Sequence, residues 1–483
     1  MIPNISDEAA VGTTATVAKN NMWITLIGAV LFSIGFLITF EHGLTYLAWS
    51  AGCAAFNILT VYKLFVHRMF LFSTLSMFLT YGVTIVWFTN YTLEIPMSSW
   101  RTGWESGYLF PAALGTSFQF LTFFNILANV AISLVPAYRI GRFSPLGNGY
   151  HNPVLFLSIL SGLALILIAG TQARDKFLIT ADIRSMFLVQ AASIMLATLF
   201  AFNLFFVSSG IYRNIINCIL VGTVLIVAMN GFRFVLVWFA LICLIYFLAT
   251  RKFSLRRVLA LVIGSAMGFL FLLILAYTRS VGMTFGEAFA FLAHPDLNAV
   301  YGYAGASDQT NLIAQDYYYD YYYEEGGGHL LYGQTYLDAF LRLPPNSVHT
   351  MLFDTVRSQD YIIQTGSFVP EVFGKSNWTI GAHLFVESII NFGRLGPYIV
   401  LTVLAMALTL LERAARKSYS LFLGCMVTAG MGGDLAWYGF GTSLKEAVFA
   451  FICGAVIIAA GRIAVTDGIA RPKFQKDPVS YRL

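Results

Sequence analysis

The chain has 483 residues, of which 58% are hydrophobic and only 11% charged. Ordinary soluble domains carry about 25% charged residues, so a water-soluble body with this balance could not cover its surface, and the fold class expected is an all-α membrane protein. The net charge of +5 is no nucleic-acid signal, because the basic residues fall at helix ends and mostly on one side.

In chain order, apolar runs of about the 20 residues that a span needs occupy 22–40, 44–62, 69–90, 110–135, 153–171, 186–208, 211–229, 232–249 and 257–277. A polar stretch of a hundred residues follows. Further runs occupy 395–411, 421–435 and 447–465, and 380–391 reads as a half-inserted helix before them. The expectation is about 12 transmembrane helices and three parts: helices one to nine over 1–278, an outer loop over 279–379, and helices ten to twelve with a tail over 380–483. The first run starts too far in, and is too long, for a cleavable signal peptide. Cys53, Cys218, Cys243, Cys425 and Cys453 each lie inside an apolar run, which suggests packing rather than a disulfide framework or a metal site.

With the N-terminus placed in the cytoplasm, 18 of the 29 Lys and Arg fall at inner ends and loops, and only five of the 24 acidic residues do. The positive-inside rule then puts both termini inside and the long loop outside, which in a bacterium means the periplasm.

The loop is the one long polar segment and is rich in aromatics. It carries the run Tyr317–Tyr323, the triplet Gly326-Gly327-Gly328, then His329 and the stretch Tyr332-Gly333-Gln334-Thr335-Tyr336 leading to Asp338 and to Pro344-Pro345. Apolar spacing over 335–343, with the proline pair after it, predicts a helix there. Tyr301, Tyr303 and the Tyr317–Tyr323 run, Tyr319 among them, read either as an interfacial belt or as a platform for sugar faces. Three arginines ring the loop: Arg233 at the start of the eighth span, Arg279 at the end of the ninth, and Arg394 before the tenth. Each alone could simply snorkel to the interface. Together they could hold a phosphate, which the guanidinium fork binds bidentately. Acid/base candidates are His329, Asp338, His349, His383 and Glu387, with His383 and Glu387 four apart on one helical face. No HExxH, GxSxG, Walker A or GxGxxG pattern occurs, so the expectation is no metal, no cofactor, no serine hydrolase and no ATP-driven pump.

Four pieces, Gly231-Phe232-Arg233, Arg279, Tyr332–Tyr336 with Leu343-Pro344-Pro345, and Glu387 with Asn391-Phe392-Gly393-Arg394-Leu395-Gly396, together resemble the Wzy family of O-antigen and capsular repeat-unit polymerases. The resemblance implies a C-type glycosyltransferase architecture working on polyisoprenyl-diphosphate-linked glycans at the periplasmic face of the inner membrane. Its partners would be these glycans, the lipid bilayer and a chain-length regulator, with no nucleic acid and no cofactor. Arg233, Arg279, His329, Asp338 and Glu387 would then be catalytic, and Arg394, Tyr332, Tyr336, Asn391 and Tyr319 would bind substrate. Two other readings stand beside it. One is an O-antigen ligase, which passes glycan to lipid A core. The other is a lipid-linked oligosaccharide flippase, a class that commonly shows internal repeats and charges buried at mid-membrane.

Overall fold

The computed structural model describes residues 22–38, 40, 43–92, 98–99, 104–105, 110–136, 151–172, 183–207, 210–229, 233–250, 267, 274, 277–278, 281–283, 285–297, 299–300, 330–341, 343 and 384–465. Apart from a two-residue antiparallel ladder, Ser98 opposite Glu105 and Ser99 opposite Trp104, the regular structure among them is helical. The order is α1 (Met22–Gly35), then α2 (Leu44–Val66), α3 (Phe70–Thr92), α4 (Phe110–Leu134), α5 (His151–Gln172), α6 (Ile183–Phe206), α7 (Ile211–Met229) and α8 (Arg233–Thr250). Two short helices follow, α9 (Phe285–Ala293) and α10 (Gln334–Leu341). The last group is α11 (Leu384–Phe392), a 3₁₀ turn (Gly393–Leu395), α12 (Gly396–Ala415), α13 (Tyr419–Gly430), α14 (Gly432–Tyr438) and α15 (Phe440–Val465). Pro111, Pro153 and Pro397 fall in the first turns of α4, α5 and α12, where a missing N–H leaves no helical bond unmade.

Among the described residues, five stretches are long and apolar enough to cross a membrane: Leu44–Val66, Leu114–Leu134, Val189–Phe206, Leu384–Ala415 and Ser443–Ala460. The first eight expected runs each coincide with a helix to within a few residues. The expected span 257–277 lies almost wholly outside the described residues, as do the Tyr317–Tyr323 run, Arg279, His329, His349 and His383. Two expectations are adjusted. The run 421–435 is broken at Met431 into α13 and α14, and the last helix begins at Phe440 rather than at 447.

The bundle has an apolar exterior and a partly polar interior. Leu44, Leu167, Ile211, Leu410 and Val456 face outward, whereas Asn57, Asn125, Asn129, Ser73, Thr74 and Ser76 are fully buried. That is the inverse of a soluble domain and what lipid demands of one. The buried asparagines join α2, α3 and α4 in one network. Lys63 Nζ donates to Asn129 Oδ1 (3.1 Å), Asn129 Nδ2 to Thr60 (2.9 Å), and Asn125 Nδ2 to Asn57 Oδ1 (2.8 Å). Each such bond between membrane helices is worth about 0.6 kcal/mol on average, so the network fixes helix register more than it adds stability.

The central helix is α13, buried continuously from Phe422 to Val427. Its glycine Gly424 faces α15: a Cβ there would lie 2.3 Å from the Phe451 ring, and one on Gly454 would lie 3.2 Å from Ser420 O. Small residues at the crossing let the two helices approach closely.

The ends of the bundle differ. At one end Arg68 Nε donates to Leu248 O at the foot of α8, and Arg416 donates to Arg68 O while pairing with Glu412 at 3.5 Å. Glu412 in turn accepts from Leu71 N at 2.7 Å. The opposite end holds the starts of α8 and α15, the end of α14, and α10 and α11.

Candidate functional site

At this second end the segment 330–341 is fastened to α11 by an interlock that uses nearly every residue of the two motif stretches. Helix α11 leaves carbonyl oxygens unpaired at its C-terminus, as any helix does. The loop supplies donors for two of them: Leu331 N to Ile390 O (3.2 Å) and Tyr332 N to Asn391 O (2.9 Å). To aim both amides, the chain turns through two consecutive left-handed residues, Tyr332 (φ 46°) and Gly333 (φ 87°). A Cβ on Gly333 would also press on the Phe392 ring at 3.2 Å. The turn starts α10, whose first bond runs from Leu337 N to Gly333 O.

Side chains complete the joint. Thr335 Oγ1 donates to Glu387 Oε1 (3.0 Å) and accepts from Asn391 Nδ2 (2.7 Å). Glu387 Oε2 accepts from Phe440 N at 2.6 Å. That amide is the first of α15, so the carboxylate, 1% exposed, lies at a helix N-terminus, where a negative charge is favoured. Ser388 Oγ gives its proton to Leu384 O (2.7 Å), so Tyr336 must be the donor in its 3.2 Å contact with Ser388. The Tyr336 ring stacks on Phe392 with centroids 6.0 Å apart and packs edge-on against Phe440. Burial first, and then the Glu387 carboxylate, hold the Tyr336 phenol well above its ordinary pKa. It therefore serves as a neutral hydrogen-bond donor.

The turn after α11 is equally constrained. Gly393 takes φ 66°. A Cβ on Gly396 would lie 2.0 Å from Ser388 O, so α12 can leave α11 at this angle only without a side chain there.

The interlock brings together Tyr336, Glu387 and Asn391 of the expected site residues, with Tyr332 beside them, 79% exposed, and Arg394 exposed on the 3₁₀ turn. Asp338 lies on α10 and Arg233 is the first residue of α8. The start of α8 is on this same end of the bundle, because Trp238 Nε1 donates to Asp434 Oδ2 (2.8 Å) on α14, just before the chain reaches Phe440. Arg279, His329 and Tyr319 lie outside the described residues.

Thr335, Ser388 and the Phe440 amide were not anticipated as site members. Thr335 falls inside the Tyr332–Tyr336 stretch, yet a threonine carries no signal of its own. Ser388 and the Phe440 amide are found only by folding. Among the described residues no group of three or more His, Cys, Asp or Glu could hold a metal ion. Comparison of the chain with protein-family models, with curated proteins and with solved structures gives no match.

Proposed function

We propose that the protein is a membrane glycosyltransferase that polymerises polyisoprenyl-diphosphate-linked repeat units at the outer face of a bacterial inner membrane, with about twelve spans and both termini inside. The observation that carries this reading is the interlock. The two sequence stretches on which the resemblance most depends, Tyr332–Tyr336 and Glu387–Gly396, are distant in sequence and are partners in one joint. A shared joint is a physical reason for both stretches to occur in one chain.

In this scheme the growing chain is passed from its lipid diphosphate to a sugar hydroxyl of the next lipid-linked unit. The C–O bond to the diphosphate breaks, a new glycosidic C–O bond forms, and the hydroxyl proton is lost to a base or water. Negative charge builds on the departing diphosphate, and donors already aimed at it stabilise the transition state most. Arg233, Arg279 and Arg394 are the proposed donors. Exposed Tyr332 is the proposed sugar contact. Glu387 has both oxygens engaged by Thr335 and Phe440, so its proposed part is to hold the loop helix in place rather than to take the hydroxyl proton. His329 and Asp338 are then the candidates for the base.

A second reading has one observation in its favour. The carboxyl side chains of Asp434 and Glu446 are buried within the helical body, and intramembrane charge is a mark of transporters. One experiment separates all three readings. Purified protein in lipid nanodiscs or liposomes is given only lipid-linked repeat units. A polymerase lengthens them. A ligase leaves them unchanged until lipid A core is added, and a flippase moves them between leaflets at constant length.

A further inference from the structure

The loop helix α10 is built inside out for a helix that faces water. Its inward side holds the polar joint: Thr335 and the Tyr336 hydroxyl are spent on Glu387, Asn391 and Ser388, with Ala339 buried beside them. Its outward side is apolar. Leu337 is 59% exposed, Phe340 53% and Leu341 39%. At 3.6 residues per turn these three positions fall within one arc of about 100°, the width of the stripe that an amphipathic helix normally turns to a core. The interlock fixes which way the helix is rolled, so this stripe cannot turn inward without breaking those bonds.

The depth of the helix is set by what it packs on. The rings of Tyr336 and Phe340 lie 5.3 and 5.8 Å from that of Phe440. Phe440 precedes Ser443, where an apolar stretch able to cross a membrane begins, by three residues, or about 4.5 Å at 1.5 Å per residue. The other neighbour, α11, lies inside the apolar stretch Leu384–Ala415. The headgroup zone of a bilayer is about 5–8 Å deep on each side, so α10 sits at the edge of the hydrocarbon and not in the water above it. The apolar stripe therefore continues the lipid-facing exterior of the bundle, to which Leu395, Ile399 and Val403 on α12 belong.

We propose that α10 is an interfacial helix, with Leu337, Phe340 and Leu341 seated among the acyl chains of the adjoining leaflet. Interfacial helices sink an apolar face about 5–10 Å into the boundary between headgroups and chains, which matches this depth. A protein partner fits the stripe poorly. A stable interface buries about 800 Å² and 20–30 residues on each side, and a two-turn helix offers three side chains. The leaflet then supports the interlock from outside, and the joint is presented at the lipid surface. The inference rests on the bundle lying in a membrane and stands independently of the polymerase reading.

Spin labelling of the full-length protein tests it, in nanodiscs that contain phospholipid and no lipid-linked glycan. The exposed cysteines Cys218 and Cys243 are first replaced by alanine. Labels are then placed by Leu337→Cys, Phe340→Cys and Leu341→Cys, with Val403→Cys as the lipid-facing control and Lys417→Cys, at an exposed position of the other end, as the water-facing one. Collisions with oxygen, which partitions into lipid, are compared with collisions with a water-soluble nickel chelate. The proposal predicts that oxygen dominates at 337, 340 and 341, as at 403, and that nickel dominates at 417. Phe340→Cys loses the contact with Phe440, so the two leucine positions carry the test if that variant fails to fold. Nickel dominance at 337 and 341 would overturn the proposal, and so would labels shielded from both reagents, which would mean that protein covers the stripe. A stripe open to nickel until lipid-linked units are added would overturn it too, because its occupant would then be a substrate tail and not the bilayer.

Discussion

At the scale of single residues, three side chains of the interlock separate holding the loop from touching the substrate. Tyr332 keeps a left-handed backbone, φ 46°, with its ring exposed. That conformation costs an L-residue about 1–2 kcal/mol. Tyr332→Gly should therefore leave thermal stability in detergent unchanged or raise it, while glycan elongation falls if the ring is a sugar contact. Unchanged elongation would remove Tyr332 from the site. Thr335 answers differently. Thr335→Val strips Glu387 Oε1 of its donor and Asn391 Nδ2 of an acceptor, and a buried polar group left unsatisfied costs about 1–3 kcal/mol. Denaturant unfolding should show that loss, with Thr335→Ser restoring it. Equal stability of the valine and serine variants would contradict the joint as described. Tyr336 adds a pH signature. Its folded pKa is raised by burial and by Glu387, so the folded state keeps the phenol proton that the unfolded chain releases near pH 10. The stabilisation is fully present below about pH 10 and is lost as pH rises through the higher folded value. Tyr336→Phe should lack that alkaline component, and an identical alkaline unfolding profile for variant and wild type would count against it.

Between elements, glycines decide how closely α11 and α12 can join. Gly396→Ala would place a methyl carbon 2.0 Å from Ser388 O. That atom is backbone and cannot rotate aside, so the two helices must part. Gly393→Ala adds the left-handed cost at φ 66°. The expected order of folded yield by size-exclusion chromatography is wild type, then Gly393→Ala, then Gly396→Ala well below both. A Gly396→Ala protein as stable as the wild type would refute the close approach. The elements themselves were largely legible, since apolar length alone located α2 to α8 and α12. The errors share one cause. Hydropathy starts the last helix at 447 because Thr442, Ser443, Lys445 and Glu446 precede it, whereas in the fold Glu446 has a partner on α6 and is buried. Sequence shows a polar residue and not the donor that satisfies it. Likewise Gly430, Gly432 and Gly433, pressed against α8 and α3, break the expected run at Met431. The site was legible in part for the same reason. Motif stretches pointed to Glu387 and Asn391, but the amide of Phe440 that fixes Glu387 belongs to no motif.

Across the whole molecule, the two ends of the bundle divide the labour proposed for the chain. The end that gathers Arg68, Arg416 and the foot of α8 is the proposed cytoplasmic face, in keeping with the charge bias of the sequence. The end with the interlock is the proposed outer face. Reporter fusions at Gly327 and at Ser418 should therefore report opposite sides, and the same side for both would refute this topology. The starts of α8 and α12 lie at the interlock end, which brings the positions of Arg233 and Arg394 to the face that also bears the loop helix α10. An arginine at membrane depth costs about 2.5–3.5 kcal/mol on insertion scales, and a lipid diphosphate would compensate it. A snorkelling arginine can be exchanged for lysine, whereas one that grips a diphosphate by its planar fork cannot. The most direct measurement is the length of the surface glycan ladder in cells carrying Arg→Lys and Arg→Ala variants of Arg233, Arg279 and Arg394 at matched protein level. The account predicts shortened ladders for lysine as well as alanine. Full-length ladders from all six variants would contradict it.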